Sequence, residues 1–189
     1  MARPEPLEPG AWPPQMRDAL NALRPASPRH PFPEPRDDRP KGLNVLGTLA
    51  HNPELATAFH TFNGHVLFAT ELSQRQRELV VLRVAAVRGS AYEWAQHSVL
   101  AGDAGITPDE VARVREGASS PRWDREDETL LSAVDELLET STLNDTTWER
   151  LGEFLDTRAL MDLIFTVGAY TALAMMLGAF EVELDDDLT

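Results

Sequence analysis

The chain has 189 residues, 42% hydrophobic and 25% charged, which suits one globular domain with a sizeable core rather than a disordered polymer. Its formal net charge of −14 disfavours nucleic acid and anionic membrane surfaces, both of which call for clustered Lys and Arg. The absence of cysteine excludes disulfides, thiolate metal sites and thiol catalysis together.

The opening MARPEPLEPGAWPPQ lacks a basic start followed by an apolar run, so it does not read as a secretory signal. The lack of cysteine is compatible with a reducing cytosol, and a cytoplasmic location is expected. All of the 14 prolines except Pro53, Pro108 and Pro121 fall within the first 40 residues. Proline removes a backbone donor and fixes φ. Residues 1–41 therefore read as a proline-rich N-terminal arm, interrupted by a short helix in QMRDALNALR. The arm is expected to lie extended on the body or on a neighbouring subunit.

Residues 42–189 read as a helical domain. GLNVLGTLAHN is a short apolar helix. Asn52 as N-cap and Pro53 in the first turn open PELATAFHTFNGHVLFA. Ser73, with Gln76 three residues on, makes a capping box for LSQRQRELVVLRVAAVRG, which stops at Gly89. Ser90 begins AYEWAQHSVLAG. Thr107 and Glu110 cap a short helix closed by Gly117, Asp124 opens REDETLLSAVDELLET, and Asn144 opens DTTWERLGEFL. The last helix runs from about Arg158 to Phe180. No alternating strand pattern appears, so the class is all-α. LIFTVGAYTALAMMLGAF within the last helix is long enough to span a membrane. It lacks flanking Lys or Arg and runs straight into EVELDDD, so a buried core helix and no membrane are expected.

The helix over residues 72–89 carries an anomaly. With Glu78 as origin, Val81 and Ala85 fall about 60° and 20° to one side and Leu82 about 40° to the other. Glu78 thus sits in the middle of an apolar face, while Val80, Val84 and Val87 cover the opposite side. Burial should raise the pKa of such a carboxyl and make it a candidate proton carrier. The competing reading is a structural ion pair, to Arg75, Arg83 or an arginine elsewhere.

The next helix carries Glu93 and His97 one turn apart. Ser90 and Glu93 have the spacing of a capping box, and a first-turn carboxylate suits the helix dipole, so residue types alone favour a capping role for Glu93. His97 lies on the Glu93 face, where an i,i+4 carboxylate can orient an imidazole. The helices of Glu78 and His97 are joined only by Gly89 and Ser90 and must pack as neighbours. Glu78, Glu93 and His97 are therefore expected to converge, which is how proton-transfer sites are assembled. A metal site is not expected. Of His30, His51, His60, His65 and His97, the pair at 60 and 65 is five apart, and Glu93 with His97 supplies two ligands without a third.

LSQRQRELVVLRVAAVRGSAYEWAQHSVLAGDAGITPDEVARV resembles the core of the carboxymuconolactone decarboxylase family, whose superfamily includes alkyl hydroperoxide reductase D-like proteins. NPELATAFHTFNGHVLF and WERLGEFLDTRALMDLIFTVGAY fit the same family more loosely. In the peroxidase branch a Cys-x-x-Cys lies twelve residues after the Glu and four before the His. Here Glu78 and His97 keep their places, but Ser90 and Glu93 stand at the cysteine positions. Thiol peroxidase and disulfide reductase mechanisms are thereby excluded. Tyr-Glu-Trp-x-x-His is similar to the decarboxylase side of the family, which works without metal or organic cofactor. The resemblance implies a compact alkyl hydroperoxide reductase D-like helical subunit, assembled as a trimer or hexamer with sites near subunit interfaces.

The expected activity is cofactor-independent lyase or decarboxylase chemistry on a small carboxylated lactone, keto acid or related cyclic compound. His97, positioned by Glu93, would be the general acid/base, and Glu78 would relay or hold the second proton. Tyr92, Trp94 and Tyr170 would wall the pocket, and Arg83 is a candidate carboxylate anchor. The same groups would serve isomerisation, dehydration or lactone opening in a biosynthetic tailoring enzyme. A non-catalytic helical oligomer, with Glu93 a cap and His97 merely packed, is the third reading.

Overall fold

The computed structural model describes residues 2–33, 36 and 39–188; positions 34, 35, 37 and 38 of the proline-rich arm lie outside the described residues. Among the described residues the regular structure is helical and no strand occurs. The α-helices are α1 (Met16–Ala22), α2 (Leu43–Leu49), α3 (Pro53–Gly64), α4 (Gln74–Arg88), α5 (Ala91–Leu100), α6 (Pro108–Glu116), α7 (Arg125–Thr140), α8 (Asp145–Leu151) and α9 (Thr157–Phe180). A π-helical turn, His65–Ala69, extends α3. The starts are those the caps specify. Asn52 accepts from Leu55 N–H, Asp124 from Asp127 N–H and Asn144 from Thr147 N–H. Ser73–Gln76 and Thr107–Glu110 form complete capping boxes.

The chain divides into two compact units, Met1–Thr70 with Met175–Thr189, and Glu71–Ala174. The first is built on Met16, Ala19, Leu49, Ala50 and Ala56, with Leu7, Trp12 and Phe59 packed against them. The arm is integrated here rather than loose. Leu7 N–H donates to Gly47 O at 3.1 Å, and Trp12 Nε1 donates to Leu7 O at 2.7 Å. α1 crosses α3 so closely that a Cβ at Gly64 would lie 2.7 Å from the Leu23 carbonyl oxygen. His60, beside that crossing, is buried with Nδ1 2.9 Å from Ala19 O.

The second unit is organised around α4. Seven of its residues are buried, Glu78 to Leu82 together with Val84 and Ala85. Leu79 and Leu82 pack with Ala101, Ile106, Val114 and Leu131. Each such leucine contributes about 2 kcal/mol from burial. Two arginines then clamp α4 to its neighbours. Arg75 Nη2 pairs with Glu110 and Asp127 at 2.6 Å each. Arg83 is bidentate to Asp135 at 2.6 and 3.0 Å. The opposite face of α4 is less covered than its sequence implies: Val80 and Val84 are buried, but Val87, in the last turn, is exposed.

α9 differs from expectation on one side. It is long and apolar enough to cross a membrane, and 39% of its most apolar 18-residue window is buried. Leu163, Thr166, Val167 and Tyr170 face inward. Met161, Phe165, Gly168, Ala172, Met175 and Ala179 are exposed, at alternating steps of four and three. A single helix flank can be covered by the elements of one unit, whereas an all-round apolar sequence needs cover on both.

Because the α1–α3 approach leaves no room for a side chain, Gly64→Ala should cost about 1–3 kcal/mol through overpacking. Thermal unfolding would show this as a lowered Tm, and an unchanged Tm would mean that α1 yields freely.

Candidate active site

α4 ends at Gly89, whose φ of 65° is the left-handed conformation that glycine adopts without penalty. Ser90 N–H donates to Ala85 O at 2.9 Å and Gly89 N–H to Ala86 O at 3.3 Å, which closes the helix in a Schellman motif. α5 starts at once and turns back along α4. This two-residue turn brings His97 onto the apolar face that holds Glu78.

The two side chains meet. His97 Nδ1 lies 2.7 Å from Glu78 Oε2, both residues being almost fully buried. The other carboxylate oxygen, Oε1, accepts from Arg77 Nε at 3.2 Å and Nη2 at 3.0 Å. Burial pushes Glu78 up, but the charges and hydrogen bonds of His97 and Arg77 outweigh it and hold the carboxyl below its usual range. An ionised carboxylate only accepts, so Nδ1 carries the hydrogen and Nε2 is left as the basic nitrogen. Tyr170 from α9 stands edge-on to the imidazole, ring centroids 5.1 Å apart at 84°. Its phenol is pushed up by burial and by the neighbouring Glu78 charge, so it stays neutral.

Glu93 behaves oppositely. It is 1% exposed, and neither of its oxygens has a hydrogen-bond partner. Burial raises its pKa to about 7, although the Ser90 hydroxyl and the His97 charge nearby pull it down. The capping box expected here is not formed: Ser90 makes no side-chain cap bond, and its buried Oγ is unpartnered. The site thus contains two carboxyls whose surroundings drive them apart, one ionised and bound to an imidazole, the other pushed up to titrate near pH 7.

Several sequence expectations change accordingly. Glu78, not Glu93, orients His97, because packing of α4 against α5 delivers a direct hydrogen bond that the i,i+4 spacing does not. The pKa of Glu78 goes down rather than up. Its ion-pair partner is Arg77, since Arg75 and Arg83 are engaged elsewhere. Arg77 escaped notice because adjacent residues on a helix do not share a face; its long side chain reaches back to the carboxylate. Arg83 is not available as a substrate anchor. Besides Asp135 it donates to the carbonyls of Val114 at 2.9 Å and Arg115 at 3.0 Å. Trp94 packs against the Leu79–Leu82 cluster and lies under Arg115, whose guanidinium carbon is 4.1 Å from its ring centroid. Tyr92 is buried at the start of α5. Tyr170 is in ring contact with His97. Among the described residues no three His, Cys, Asp or Glu side chains converge as a metal site.

The described residues form an all-helical fold of the kind seen in alkyl hydroperoxide reductase D-like structures. Residues 53–136 match the model of the carboxymuconolactone decarboxylase family. The debrominase Bmp8 superposes with TM-score 0.72 at 16% identity, over 97% of this chain and 92% of that one. A cysteine-to-alanine variant of the same debrominase, in complex with 2,3,4-tribromopyrrole, gives 0.70 at 17% identity, over 97% and 92%. An alkylhydroperoxidase AhpD core, an uncharacterised peroxidase-related protein of Ralstonia eutropha JMP134, gives 0.70 at 18% identity, over 86% and 96%. At these identities the likenesses establish the fold. No curated protein sequence matches the chain.

Two consequences are measurable. Glu93 binds a proton in the folded protein at pH values where the unfolded chain has lost it, so its charging removes stability as pH rises from about 4.5 to about 7. Glu93→Gln should therefore gain on the wild type by about 2 kcal/mol between pH 5 and pH 8 in denaturant unfolding. Parallel pH curves would mean that Glu93 is solvated. Arg83→Met should lose about 1–3 kcal/mol through its severed carbonyl and Asp135 bonds. It should also leave the nitrogen NMR signals of the His97 ring in place; movement of those signals would mean that Arg83 acts on the site.

Proposed function

We propose that the protein is a cofactor-independent enzyme of lyase or decarboxylase type, acting by Glu/His proton transfer on a small carboxylated lactone, keto acid or related cyclic metabolite. The observation that carries this reading is the buried Arg77–Glu78–His97 chain beside the bare, neutralisable Glu93. A purely structural ion pair would not need a second carboxyl kept unpartnered on the same helix face. A cap role for Glu93 loses its support with the absent capping bonds.

In decarboxylation the substrate carboxylate departs as CO₂, and the electron pair of the broken C–C bond enters the unsaturated system as an extended enolate. His97, through Nε2, delivers a proton to the enolate carbon and recovers one from Glu93 or solvent. The net change replaces a carboxylate by hydrogen and consumes one proton. Glu78, held ionised by Arg77, fixes the ring and stabilises its imidazolium form. Tyr170 keeps one side of the ring dry.

The near-complete overlap with a debrominase whose variant holds a halogenated pyrrole supports a second reading, a tailoring enzyme that isomerises, dehydrates or opens a small ring with the same groups. Under either reading the protein works in the cytoplasm as a homo-oligomer, a trimer or hexamer. The exposed stripe from Met161 to Ala179 on α9, stepped by four and three, supports packing against a second copy.

The test is turnover of γ-carboxymuconolactone, followed by loss of the starting acid. His97→Ala should lower kcat by about 10²–10⁴-fold with folding intact. Glu78→Gln, which keeps shape but not charge, should lower kcat by about 10²-fold and leave KM little changed. Wild-type turnover that survives His97→Ala would exclude the mechanism. No wild-type turnover would remove this substrate and favour the tailoring reading.

A further inference from the structure

A cleft of about 290 Å³ opens where the end of α4, the start of α5 and the end of α6 meet. Its floor is Ala85, Ala86, Gly89 and Ala91, none with a side chain beyond Cβ. Such a floor admits a flat ring. One wall is Trp94 with Arg115 stacked on it, and Ser90 lines the same cleft.

Arg115 differs from the arginines that hold the fold. Arg75, Arg77 and Arg83 are bound to carboxylates. The Arg115 guanidinium makes no hydrogen bond or ion pair among the described residues; its side-chain contact is the Trp94 ring face. Held over the ring, the guanidinium keeps its planar fork of N–H donors for a carboxylate, which such a fork can take through two parallel bonds. The backbone beneath it is fixed, since Arg83 Nη1 donates to the carbonyls of Val114 and Arg115. The arginine that sequence offered as the anchor is therefore the support of the one that overhangs the cleft.

The start of α5 also favours negative charge there. Ser90 lines the cleft as the N-cap of ten-residue α5 and does not cap it with its side chain, so the positive end of that helix opens beside the cleft, while the Ser90 hydroxyl is turned inward beside Glu93.

We propose that this cleft binds the carboxylate of a small planar acid, with Arg115, set over Trp94, as its anchor. This deepens the reading above and rests on it for its catalytic meaning. Ser90, which lines the cleft, also stands beside Glu93, so the cleft adjoins the proton-transfer groups. Arg115 is then the residue that selects acids over their neutral analogues.

The experiment uses the full chain with benzoate as probe and benzamide as its uncharged isostere, following the indole N–H signal of Trp94, assigned with Trp94→Phe. Benzoate should shift that signal saturably and benzamide should not. Arg115→Gln, at an exposed position that does not threaten folding, should weaken benzoate at least about tenfold, the loss of one charge-assisted pair. Arg115→Lys, which keeps charge without the planar fork, should fall between them. Benzoate binding is read on the wild type apart from turnover of γ-carboxymuconolactone. That separates the two claims: absent turnover with intact benzoate binding strikes the proposed reaction and leaves the cleft. No benzoate shift at Trp94, equal shifts with benzamide, or unchanged benzoate affinity in Arg115→Gln would each overturn the assignment.

Discussion

The hydrogen bond between Glu78 and His97 is the constraint on which the rest of the site depends. An ionised carboxylate in the middle of an apolar helix face is costly by several kcal/mol unless its oxygens are engaged. Here one oxygen takes the imidazole and the other takes Arg77. That arrangement requires α5 to return along α4, which requires the abrupt stop at Gly89. It also settles the imidazole's chemistry: with Nδ1 committed, Nε2 is the nitrogen that can exchange a proton.

The same packing explains why Glu93 is left bare. Its spacing from Ser90 and from His97 offers it two local partners. Neither bond forms, because Ser90 heads a helix that is already anchored by backbone bonds to Ala85 and by the Glu78 contact one turn further on. Glu93 is buried by that anchoring without being satisfied. Two carboxyls within one apolar pocket thus acquire opposite tendencies from opposite hydrogen-bond environments, the pattern by which a site holds both an acid and a base near neutral pH.

Around this pair the arginines divide by task. Arg75 and Arg83 tie α4 to α6 and α7 through buried or half-buried carboxylates, and Arg77 holds Glu78. Arg115 is held by stacking alone. Its guanidinium lies on the rim of a cleft floored by the smallest side chains.

Much of the architecture was determined locally. The Ser73, Thr107, Asp124 and Asn144 caps, Pro53 and Gly89 set helix boundaries through backbone hydrogen bonds within a few residues, so the all-α class and most helix starts were legible in the chain. The membership of Glu78, Glu93 and His97 in one neighbourhood was legible too, because a two-residue link forces α4 and α5 together. What local spacing does not contain is which of several available partners a side chain takes. Glu93 is within reach of Ser90 and His97 by helix geometry, yet His97 bonds across to Glu78. Arg83 looks as free as Arg77 or Arg115, yet Asp135, 52 residues away, claims it. Only the tertiary structure decided these choices, because the energy of a buried ion pair depends on distances and desolvation set by distant segments. The exposed flank of α9 was hidden for the same reason: its apolar composition is uniform around the helix, and only packing determines which side is covered.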